Sequence, residues 1–98
     1  MEGLKPICTA ELNAVLDKLP KAIVKEVEDT REAYLNDKDY YRQGRVSFVT
    51  YQKWRDEARR EIDGFCLALE LYGALTTVEA RVLRRYMRGN KTDKEVTE

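Results

Sequence analysis

The sequence predicts a small all-α domain, a bundle of three to four helices around a central helix at 47–72 with antiparallel neighbours. Three observations carry that expectation. Phe48, Tyr51, Trp54, Ala58, Ile62, Phe65, Cys66, Leu69 and Tyr72 recur at three- and four-residue steps, the period of one helical stripe. Glycine and proline together number only seven among 98 residues, too few for the frequent turns of an all-β chain. The pattern Gly, any, apolar, hydroxyl occurs twice, as Gly44-Arg45-Val46-Ser47 and Gly73-Ala74-Leu75-Thr76. In each, the glycine can take the left-handed conformation that ends a helix, and the hydroxyl can cap the next one.

Taken in order, residues 1–8 carry no periodic signal and are expected to be loosely held. Thr9 is placed to cap a first helix with Leu12, Val15, Leu16 and Leu19 on one face. Pro20 would clash with the carbonyl of Leu16 inside a helix but costs little in a first turn, so a corner is expected near Lys18 and a second helix from about Pro20. Val27, Tyr34 and Tyr41 lie at heptad steps along it. Asn36-Asp37-Lys38-Asp39 are poor helix formers, and whether the helix passes them to reach Arg42 stays open at this level. Gly64 interrupts the central stripe, and close approach of a neighbouring helix is the favoured reason.

Thr76 and Glu79 complete an S/T-x-x-E capping box for a last helix, Thr77 to Arg88. Its Arg81, Arg84, Arg85 and Arg88 share one face, opposite Val78, Val82, Leu83, Tyr86 and Met87. Gly89-Asn90 ends it, and KTDKEVTE reads as a flexible C-terminal tail over 91–98, so that 1–90 forms the single domain.

Composition narrows function mainly by exclusion. There is no histidine, so neither a Cys/His metal site nor a histidine-activated nucleophile can be built, and Cys8 and Cys66 are far apart. Ser47, the only serine, is accounted for as a cap. The carboxylate pairs Glu57/Glu61 and Glu28/Glu32 alternate with arginines as solvated helix faces do, and the five glycines never form a phosphate loop. No cofactor, metal or catalytic site is expected, and the chain is read as a non-enzyme. No apolar run approaches the roughly 18 residues needed to cross a bilayer, and the opening MEGLKPICTAELN is too polar for a secretory leader, so a cytoplasmic location is expected.

Net charge is zero but uneven. Residues 1–39 hold six basic and nine acidic side chains, residues 40–90 ten and six. The arginine face of the last helix suits phosphates or carboxylates, which guanidinium grips in a bidentate manner. It equally suits a solvated face beside the acidic first half of the chain. A helix-turn-helix fits poorly: with Gly73 as the turn glycine, the expected buried apolar position falls on Glu79. Tyrosines and the single tryptophan number seven, and Tyr40-Tyr41 beside Arg42 and Arg45 is the candidate exposed aromatic-basic patch.

In texture and helix punctuation, GRVSFVTYQKWRDEARREIDGFCLALELYGALTTVEARVL over residues 44–83 is similar to small helical proteins of phages and mobile elements. That resemblance implies an anti-CRISPR or other anti-defence inhibitor, which acts by covering a host protein's functional surface. Trp54, Ala58-Arg59 and Gly64-Phe65 also resemble the helical hairpin of phage proteins that sequester cyclic nucleotide signals, with no ligand residue carried over. The expected activity is therefore macromolecule binding, by an inhibitor or regulator that engages a partner protein through Arg81, Arg84, Arg85 and Arg88, with Tyr40, Tyr41, Arg42 and Arg45. Nucleic-acid or nucleotide binding is the alternative, and a homo-oligomeric structural role, such as a dimer through Trp54 and its neighbours, the second.

Overall fold

The computed structural model describes residues 5–97, which fold into five helices: α1 (Thr9–Asp17), α2 (Lys21–Arg42), α3 (Phe48–Leu71), α4 (Thr77–Met87) and the short α5 (Asp93–Thr97). The chain is all-α, as its periodicity requires. Side-chain contacts set the directions. Tyr34 meets Arg59 and Tyr41 meets Tyr51, so α2 and α3 run antiparallel. Asp63 meets Arg88 and Glu70 meets Thr77, so α3 and α4 do too. Glu28 receives the Tyr86 hydroxyl, and Leu35 lies against Gly89, so α4 runs back parallel to α2.

Both punctuated corners form as the sequence dictates. Gly44 and Gly73 are left-handed (φ 73° and 80°). Each corner closes with the paired backbone hydrogen bonds of a Schellman motif, Arg45 N–H to the Tyr40 carbonyl and Ala74 N–H to the Leu69 carbonyl among them. Ser47 then accepts from the Thr50 amide, and Thr76 and Glu79 form the full reciprocal box. Gly89 ends α4 with φ 85°, and a Cβ there would stand 2.8 Å from the Leu35 side chain, so no other residue fits that close approach without displacement.

The helix α3 is the longest, yet only Tyr51, Ile62 and Cys66 of its stripe are buried. Trp54, Ala58, Phe65 and Leu69 are half-buried, and Phe48 and Tyr72 face outward. The shorter α4 packs against α1, α2 and α3, and buries Ala80, Leu83, Tyr86 and Met87. Around it gather Ile7, Leu12, Val15, Val27, Ile62, Cys66 and Leu75. Gly64 is not a close-approach site: it is exposed, a Cβ would meet nothing within 4 Å, and α3 runs through it without interruption.

The open question of α2 is settled: it passes through Asn36–Asp39 unbroken to Arg42, because Tyr34 and Leu35 on one side of that stretch are held against the bundle and tertiary packing overrides weak propensity. Two expectations are corrected at the ends of the chain. First, Thr9 is the first residue of α1 rather than its cap; both its amide and its hydroxyl donate to the Asp93 carboxylate, which does the capping from the far end of the sequence.

Second, the stretch expected as a loose tail is built into the fold across its described part, as is the N-terminal segment from Lys5; residues 1–4 and 98 lie outside the described residues. Ile7 pairs with Thr92 in a parallel bridge, donating to the Lys91 carbonyl and accepting from the Asp93 amide, and both Ile7 and Thr92 are buried. Thr92 and Glu95 form a second capping box. Arg31 of α2 locks the arrangement. Its guanidinium donates to the Tyr86 and Asn90 carbonyls at the C-terminal end of α4, pairs with Glu95 at 3.1 Å, and lies 4.3 Å over the Tyr86 ring.

Candidate functional site

The arginine face of α4 is largely consumed by the fold. Arg84 Nε lies 3.2 Å from Asp63 Oδ1, near enough to attract but not aligned for a hydrogen bond. Arg88 donates to the same oxygen at 2.7 Å. Arg85 donates to the Lys5 carbonyl on the other flank. Arg81 alone of the four stays exposed with no ion-pair partner among the described residues. Periodicity correctly put the four on one helical face, but that face is the seam where α3 and the N-terminal segment meet α4. It is not a free grip for phosphate.

The second predicted group fares differently. Tyr40, Tyr41, Arg42 and Arg45 come together at the α2–α3 corner, all exposed. Tyr41 is 37 % exposed and stacks on Tyr51 with ring centroids 4.7 Å apart and planes 5° from parallel, while Phe48 leans on it at 5.8 Å. Arg45 lies 4.7 Å over the Tyr40 ring and Arg55 5.6 Å over Tyr51. Phe48 (52 % exposed) and Val49 (75 %) extend the same corner with apolar surface that the sequence reading assigned to the core or passed over. Their signal was present: Val49 lies off the α3 stripe, and Phe48 directly follows the Ser47 cap, where a helix has barely entered the bundle.

The corner is thus a preordered array of stacked rings with arginines attached. Ordering cost is low, because the rings already hold one another, and tyrosine and arginine are the residue types that dominate contact energy at interfaces. A second exposed apolar group, Leu67, Leu71, Tyr72 and Val78, lies around the α3–α4 connection and carries no such ring stacking.

Ser47 and Glu28 are occupied structurally. Ser47 is a cap, and Glu28 accepts the Tyr86 hydroxyl at 2.7 Å; burial, aided by that hydrogen bond, raises the Tyr86 phenol to about 12. Among the described residues no group of three or more potential metal ligands converges, and no helix is long and apolar enough to cross a membrane. Cys66 is buried against Met87, and burial pushes its thiol up to about 11, whereas Cys8 is exposed. A thiol reagent at pH 8 is therefore expected to label one cysteine quickly, Cys8, and the other only when the chain unfolds. Two fast thiols would mean that the α3–α4 seam opens readily.

No family model, curated protein or solved structure matches the chain. Function must be argued from its own surface.

Proposed function

We propose that this chain is a non-enzymatic macromolecule-binding protein, an inhibitor or regulator that covers part of a partner protein's surface. The observation that supports it is the α2–α3 corner, where Tyr40, Tyr41, Phe48 and Val49 are exposed together beside Arg42 and Arg45. Contact through this corner replaces the expectation of contact through α4, since Arg84, Arg85 and Arg88 are engaged within the fold. An inhibitor needs a stiff, adhesive face and no reacting group, and the corner supplies the first.

The test is affinity capture from a bacterial lysate at two salt concentrations, with and without nuclease, comparing the natural chain with Arg45→Glu/Val49→Asp. Both positions are exposed, and an acid in the first turn of α3 is compatible with the helix. A defined protein is expected to survive nuclease and to be recovered about tenfold less, or worse, on the corner variant. Leu71→Ser/Tyr72→Ser, at the opposite end of α3, is expected to capture normally. Recovery of nucleic acid that vanishes with nuclease or salt supports the nucleic-acid alternative instead. Recovery of the chain alone, with assembly that rises with concentration, supports the homo-oligomer.

A further inference from the structure

An open groove of about 420 Å³ runs between α2 and α3, adjoining the corner through Tyr40. Helix α2 contributes Thr30, Ala33, Tyr34, Asp37 and Tyr40, and α3 contributes Trp54, Glu57, Ala58 and Glu61. Each set is one helical stripe, spaced at i, i+3, i+4 and i+7, with i+10 added on α2. The small side chains of Ala33 and Ala58 leave the space open, and three aromatic side chains line it. Three carboxylates line it as well, and no lysine or arginine does. None of Asp37, Glu57 and Glu61 has an ion-pair partner among the described residues. Asp37 is half-buried, and desolvation raises it above its ordinary value. Three guanidinium groups border the groove without lining it: Arg55 shares a small adjoining pocket with Asp37 and lies 5.6 Å over the Tyr51 ring, and two others serve aromatic partners. Arg59 donates to the Tyr34 hydroxyl at 3.1 Å, and Arg45 covers Tyr40.

We infer that this groove receives an arginine side chain from a basic segment of the partner protein, stacked against Trp54 or Tyr40 and paired with Glu57, Glu61 or Asp37. Charge complementarity selects the occupant. Uncompensated carboxylates repel phosphate and nucleic acid, and a plain apolar segment would leave them desolvated without a partner. Guanidinium satisfies both features at once, because it stacks on rings and pairs with carboxylate through a planar fork. The inference rests on the reading of the chain as a protein-binding module, and it names the chemistry of the partner.

Trp54 is the only tryptophan and lines the groove, so it reports on the site directly. The full chain would be titrated with a short capped peptide alternating arginine and alanine, and with its citrulline counterpart, which keeps shape and hydrogen bonding but loses the charge. A saturable change in Trp54 fluorescence with the arginine peptide, absent with the citrulline peptide, is expected. Glu57→Gln/Glu61→Gln is expected to weaken that binding about tenfold. Glutamine is a good helix former at these exposed positions, and far-UV circular dichroism checks that the fold persists. Equal response to citrulline, no response to arginine at millimolar peptide, or unchanged binding by the amide variant overturns the inference. The two readings fail separately. If the corner variant loses its captured protein while the amide variant keeps it and binds no arginine peptide differently, the groove falls and the corner stands. If the peptide behaves as expected but the corner variant captures normally, the reverse holds.

Discussion

Leu83→Ala is expected to destabilise the chain by about 3–4 kcal/mol, within the range of large-to-small changes at sites that cannot collapse. Leu83 has no exposed surface and sits on α4, the helix that packs against α1, α2 and α3. Removing its branched end leaves a void bordered by several elements, and a single helix cannot shift to close it without opening another seam. A domain of this size has roughly 5–15 kcal/mol in total, so the change consumes a large fraction, and the melting temperature should fall by about 15 °C or more. The comparison that sharpens the test is Leu71→Ala. It is the same chemical deletion at a residue 75 % exposed, expected to stay within about 0.5 kcal/mol. Urea titration of both variants measures the difference. Comparable losses at the two positions would contradict the placement of the core around α4.

That placement was only half legible from sequence. The boundaries were the strongest part, because Gly44 with Ser47 and Gly73 with Thr76 are local devices, satisfied by atoms a few residues away. The stripe on α3 was equally visible, but periodicity states which residues share a face and not how deeply that face is covered. Phe48 opens a 24-residue helix about four turns before Asp63, where the end of α4 meets it, and Tyr72 is that helix's C-cap in the exposed α3–α4 connection. The arginine face of α4 failed for a related reason. Asp63, which holds Arg84 and Arg88, is more than five helical turns away in sequence, and nothing local announces that pairing.

The C-terminal stretch is the instructive omission. Thr92-x-x-Glu95 is the same capping signature as Thr76-x-x-Glu79, and only the missing apolar period after it led to its reading as a tail. Its partners, Thr9 and Ile7, lie 84 or more residues away. Of the candidate site, the tyrosine-arginine cluster was readable as a composition, whereas the groove beside it exists only once α2 and α3 are laid side by side.

Ending the chain at Lys91 is the second change expected to have a large effect. It removes Thr92 from its place beside the buried Ile7, one of the two backbone hydrogen bonds of that bridge, and the Glu95 partner of Arg31, for a total on the order of 3 kcal/mol at pH 7. The pH dependence distinguishes packing from charge. The Thr9 hydroxyl holds the Asp93 carboxyl below the ordinary carboxylate range. Burial acts to raise Glu95, but hydrogen bonds from Thr92 and the Arg31 guanidinium outweigh it and lower that group too. A carboxyl lowered on folding binds fewer protons in the folded state than in the unfolded one. Its contribution is therefore present above the unfolded value near pH 4 and is lost as pH falls through the lowered folded value. The stability gap between full-length and shortened chains should thus be widest near pH 7 and narrow as the solution is taken toward pH 3. Glu79, lowered by Lys18 and the Thr76 amide, is retained in both chains and drops out of the difference. Urea midpoints of the two chains across this range measure the gap. A gap that stays constant would assign the whole effect to Ile7 and its bridge. A gap that vanishes at pH 3 would assign it to the carboxylates that tie α5 to α1 and α2.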